Sequence, residues 1–118
     1  MRPAMDKQSR REAIREYKER RVSQGIFALR CSATGEAWVG QSRDLEQKPN
    51  GVWSALRRGG HPNAALQAAF AKHGEAAFAF EALETVDADG LSPYALANLL
   101  KNRDAHWRAR LGAAKIVG

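Results

Sequence analysis

A chain of 118 residues, 44% apolar and 27% charged, suffices for one compact domain with a single core, and its proportions exclude a fibrous or wholly disordered protein. No run approaches the roughly 18 apolar residues of a membrane helix. The arginine-rich start lacks the apolar stretch of a secretory signal, and Asp6, Glu12, Glu16 and Glu19 are out of place in a transit peptide, so no membrane partner and a cytoplasmic location are expected. Cys31 is the single cysteine and has no internal disulfide partner, which fits a reducing compartment. The formal charge of +6 favours a polyanionic partner.

Much of that charge lies at one end. Residues 1–21 hold eight bases against four acids. Lys7 to Arg21 reads as a helix, rich in Arg, Glu, Lys and Ala, with a thin apolar stripe of Ala13, Ile14 and Tyr17. Arg10, Arg11, Arg15 and Lys18 are candidate contacts to a nucleic-acid backbone. The same pattern also describes a solvated helix in which Arg11 and Arg15 oppose Glu12 and Glu16.

Ser23-Gln24-Gly25 breaks this helix, and Ile26 to Cys31 reads as a strand, turned by Thr34-Gly35 into a second strand from Ala37 to Gln41. Asp44 to Pro49 reads as a loop, after which Asn50 is expected to cap a short helix, Gly51 to Arg58, burying Val52, Trp53 and Leu56. Asn63 caps a further helix, Ala64 to His73, which Gly74 stops. Ala77 to Leu83 alternates as a third strand. The last helix runs from about Ser92 to Leu111, with Pro93 in its first turn. The expected architecture is α+β, a small, mainly antiparallel three-stranded sheet flanked by helices, with an extra basic helix in front.

On that last helix Leu96, Leu100, Trp107 and Leu111 share one stripe, and Asp104 falls on it. A carboxylate on an apolar face requires a partner. That partner is either a metal ion or a cation such as Arg103 or Arg108. His73 and His106 have no Cys or carboxylate at zinc spacing.

The ordered succession of Gly25-Ile26-Phe27, Trp38-Val39-Gly40, Gln41-Ser42-Arg43-Asp44-Leu45, His61-Pro62-Asn63, Lys72-His73-Gly74 and Phe78 to Glu84 resembles the GIY-YIG endonucleases. The resemblance spans Gly25 to about Leu111, dividing the chain into a basic helix, 1–24, and a GIY-YIG-like domain, 25–118. It implies hydrolysis of DNA phosphodiester bonds assisted by one divalent ion, Mg2+ or Mn2+, held by a carboxylate of the last helix. Tyrosine hydroxyls from the hairpin and an arginine of the first helix complete the family's site. Phe27 and Trp38 stand at the tyrosine positions, and neither ring can act as a base; as sheet aromatics both have an ordinary packing role as well.

The family's arginine position falls at about Lys48, which carries charge without a bidentate fork. No arginine follows until Arg57 and Arg58; Arg57 is the candidate substitute if the loop is rearranged, or else a solvated helix-end residue, and Arg58 beside it is a further backbone contact. His61 matches a family histidine, either contacting phosphate or replacing the missing base, or simply a loop residue. Asp104-Ala105-His106-Trp107 resembles the metal site with a shorter acid, and the family's late asparagine has no counterpart. The first reading is therefore a metal-dependent DNA endonuclease. The alternative is a degenerate member that binds nucleic acid without cutting, with a protein-interaction module ranked last. The enzymatic reading expects the aromatic hairpin and Asp104 to enclose a common cleft.

Overall fold

The computed structural model describes residues 23–116, so the expected basic helix, with Arg10, Arg11, Arg15 and Lys18, lies outside the described residues. Two strands, β1 (Gln24–Cys31) and β2 (Ala37–Ser42), form the expected hairpin. Its turn is closed by Gly35 N–H donating to Cys31 O at 2.8 Å, with Gly35 at φ +80°, a left-handed conformation that suits glycine. Helices α1 (Lys48–Arg58) and α2 (Ala64–His73) follow, then a 3-10 turn (Glu75–Ala77), strand β3 (Phe78–Val86), helix α3 (Pro93–Leu111) and a two-residue strand β4 (Ala114–Lys115).

The fold is α+β with a four-stranded mixed sheet in the order β3-β1-β2-β4, where three strands were expected. After the left-handed Gly112 stops α3, the chain returns along the open edge of β2, parallel to it, and Ile116 N–H donates to Val39 O at 2.9 Å. Two residues are too few to show any alternation in sequence. Helix α1 begins at Lys48, three residues before the expected start. Pro49 falls in its first turn, where a missing N–H breaks no helical bond, and the Asp44 carboxylate accepts from Gln47 N–H at 3.2 Å just upstream. Asn50 is thus inside the helix and does not cap it. The expected cap at Asn63 is present, and Ser92 caps α3 in the same way, each side chain accepting a backbone N–H three residues on.

Because β1 is central, strand alternation assigns its side chains to two different layers. Phe27, Leu29 and Cys31 join Trp38 and Phe78 beneath Val52 and Leu56 of α1 and Leu66 of α2, with Ile116 completing the cluster. Ile26 and Ala28 join Val39 on the other face, beneath Leu96 and Leu100 of α3. Each fully buried Leu, Ile or Phe contributes about 1.5–3 kcal/mol. A bulge opposite Ile26 and Phe27 re-aims β3, so that Leu83 and Glu84 both meet the α3 layer. Glu84 accepts from Arg103 Nε and Trp107 Nε1, each at 2.8 Å, and so fastens the strand to the helix.

Backbone approach at two glycines sets the sheet's spacing. A Cβ on Gly25 would collide with the Glu84 carbonyl oxygen, and one on Gly40 would collide with Ile116 and lie 2.9 Å from Phe27 Cζ. Gly40→Ala should cost about 1–3 kcal/mol, and Gly25→Ala at least as much because a ladder carbonyl cannot rotate away. Gly51→Ala, in α1 with no atom within 4 Å of the added carbon, should instead stabilise by about 0.5–1 kcal/mol. Urea unfolding of the three variants checks the ranking.

Candidate functional site

Two of the expected site residues come together. The end of β2, the first turns of α1 and the loop after α1 enclose an open groove of about 530 Å³, whose lining includes Arg43, Asp44, Lys48 and His61. Ser42 Oγ accepts from Asp44 N–H at 2.9 Å and shapes the turn from β2 into α1. Lys48, in the first turn of α1, places Nζ 5.8 Å from the centroid of the Phe27 ring, a cation–π contact. The half-motif aromatic therefore lies beneath this cation.

His61 is held at both ends. Its backbone N–H donates to Gln67 Oε1 at 3.1 Å, and Gln67 Nε2 donates in turn to Leu56 O, stitching the loop to the end of α1. Its Nδ1 accepts from Asn63 N–H at 3.0 Å, so in the neutral ring Nε2 carries the proton. Burial lowers its pKa from 6.5, and the positive charge of Lys48 lowers it further. Neutral His61 is consequently a hydrogen-bond donor through Nε2 and does not offer a free base nitrogen. Asn63 also ties the groove's far wall to β4, its Nδ2 donating to Lys115 O and Ile116 O.

The other candidates lie elsewhere. Phe27 is 0% exposed and stacks on Phe80 at 4.9 Å, and Trp38 is 3% exposed and stacks on Phe78 at 6.2 Å. Both fill the layer under α1 and α2. Arg57 does not line the groove. Its Nε and Nη2 reach Glu75 at 2.8 and 2.6 Å, a bidentate pair that raises the Arg57 pKa and lowers that of Glu75 mainly through the hydrogen bonds. Arg58 is exposed in the last turn of the same helix, remote from its first turn.

Asp104 is 2% exposed on the α3 stripe that faces Ile26, Ala28 and Val39, the side of the sheet opposite Phe27 and Trp38. The expected common cleft is therefore not formed by these three side chains, because β1 and β2 alternate their faces. The partner of the buried carboxylate is one of the two arginines expected: Arg108 Nε donates to Asp104 Oδ1 at 2.7 Å. Arg103 instead serves Glu84. Among the described residues no three His, Cys, Asp or Glu side chains gather as a metal set. As it stands, a lone carboxylate closed by a guanidinium does not fit a resident divalent ion, since a cation there would have to displace Arg108, which is 32% exposed in its side chain.

No family model and no curated protein matches the sequence. Among solved structures, the catalytic domain of homing endonuclease I-TevI is similar at a TM-score of 0.66 and 23% identity, over 80% of this chain and 99% of that one. A mutant of the catalytic domain of intron endonuclease I-TevI is similar at 0.65 and 24%, over 77% and 86%. The chain has the GIY-YIG nuclease fold. Within that GIY-YIG fold, the groove holds one residue that sequence reasoning passed over. Arg43 sits in the quoted run Gln41 to Leu45, but its position at the strand end, against the first turn of α1, becomes visible only once the helix is seen to start at Lys48.

The histidine's titration tests the groove's electrostatics. By NMR the His61 ring should titrate below 6.5, and Lys48→Met should raise the midpoint part of the way back, because burial is the larger cause. The folded value lies under the unfolded one, so on acidification the unfolded chain takes up this proton first. The contribution is complete above 6.5 and is lost as pH falls from there through the folded value. A midpoint at or above 6.5, or no response to Lys48→Met, would contradict this arrangement.

Proposed function

We propose that the chain is a divergent member of the GIY-YIG nucleases that acts on DNA, seating a backbone phosphate in the groove of Lys48 and His61 and hydrolysing the phosphodiester. The observation that carries this reading is the placement of these two residues, at the family-like arginine and histidine positions, in one groove of an endonuclease fold. Lys48 supplies charge to a phosphate, and the His61 Nε2–H supplies a directed donor. Phe27 and Trp38 act as the floor and packing of the hairpin, so the hairpin offers the attacking water no tyrosine hydroxyl. The basic segment of residues 1–24, ahead of the domain of residues 25–118, adds positive charge that favours a DNA partner.

A resident divalent ion does not fit the buried carboxylate of α3 as it stands. In this chain its one carboxylate of the family's kind, Asp104, is held by Arg108. That pair favours the second reading, a domain that binds DNA without cutting it. No described helix is long and apolar enough to cross a membrane, and a cytoplasmic location agrees with a DNA substrate.

Incubation with supercoiled plasmid separates the readings. With Mg2+ or Mn2+ the hydrolytic reading expects nicking that EDTA stops and that Asp104→Asn leaves intact, because Arg108 already closes that carboxylate; loss of nicking with the gel shift kept would return the ion to Asp104. A salt-sensitive shift with no nicking in either ion would support binding alone. Absence of both would contradict the DNA reading itself.

A further inference from the structure

The GIY-YIG-like position in the first turn of α1 holds Lys48, and the expected substitute, Arg57, is engaged with Glu75. Of the other described arginines, Arg30 pairs with Glu81, Arg103 with Glu84 and Arg108 with Asp104, Arg110 lies 5.8 Å from the Trp107 ring, and Arg58 is exposed in the last turn of α1, outside the groove lining. Arg43 is different. It is exposed, lines the groove, and has no hydrogen bond or ion pair among the described residues.

Its neighbours favour an anion. Lys48 adds a second positive charge, and the neutral His61 ring adds an N–H donor. No acidic residue occupies the first turn of α1. Asp44 is the carboxylate in the lining, its Oδ1 bonded to Gln47 N–H, and against Arg43 and Lys48 together it leaves the lining with a net positive charge. Water-exposed lysine and arginine differ here in geometry: the guanidinium presents a planar fork to two phosphate oxygens, which an ammonium cannot do.

We propose that Arg43, delivered by the turn from β2 into α1, is the arginine that grips the DNA phosphate in this groove, with Lys48 and His61 as its co-donors. This role rests on the DNA reading above. It relocates the fork from a helix to the strand end before it, so the bidentate geometry lost with lysine at one position is restored from a residue five places earlier in the chain.

Fluorescence anisotropy with a labelled duplex, over roughly 50–200 mM KCl, tests the role on the full chain. Arg43→Gln should weaken binding roughly tenfold and flatten the slope of log K against log salt by about one. Arg43→Lys should keep the slope and lose affinity several-fold, while Arg57→Gln should change neither. Unfolding midpoints of the Arg43 variants should match that of the unaltered protein, since the side chain is exposed and unpaired among the described residues. If the unaltered protein binds and Arg43→Gln binds equally well with the same slope, this role is overturned and the DNA reading survives. If the unaltered protein fails to bind, both are overturned.

Discussion

With a helix layer on each side of the sheet, β1 has to be apolar at every position from Ile26 to Leu29, and its alternation then decides which layer each neighbour serves. Phe27 goes down among the residues under α1 and α2, directly beneath Lys48, while Ile26 goes up among those under α3. That division separates the two halves of the chemistry expected from the chain. The side chains proposed to grip phosphate gather where β2 turns into α1. The buried carboxylate belongs to the opposite layer.

Close approach enforces this arrangement. Gly25 lets β3 pass against β1, and the bulge beside it turns Glu84 toward Arg103 and Trp107. The Glu84 pKa is lowered first by the Trp107 hydrogen bond, against the opposing effect of burial, and then by Arg103. Gly40 leaves room for Ile116, and Asn63 then holds the carbonyls of Lys115 and Ile116 while capping α2. One short polar side chain thus joins β4 to α2, and its backbone N–H also orients His61.

Much of this was legible in the residues. The hairpin, the Asn63 and Gly74 limits of α2, and the span of α3 each rest on a local signal, a turn glycine, a cap or a periodic stripe, and each is where the pattern placed it. The stripe also showed that Asp104 would be buried and would need a partner. What it could not show was direction, because the face of the sheet that α3 covers is decided by topology and leaves no mark in the pattern of either element. Pro49 misled in a different way, since a proline reads as a loop ending until the helix is known to contain it in its first turn. Arg43 was missed for the same reason. With α1 taken to begin at Gly51, nothing placed a strand-end arginine beside a helix start. The two-residue β4 lies below the length at which alternation carries information.

The proposed binding mode brings DNA phosphate into the groove between β2, α1 and the His61 loop. Amide and imidazole NMR shifts, followed while a short duplex is added to the protein without divalent ion, test this most directly. Shifts at Arg43, Lys48 and the His61 ring, with the outer face of α3 around Lys101 and His106 unmoved, are the predicted result. Shifts concentrated on α3, with the groove silent, would contradict it.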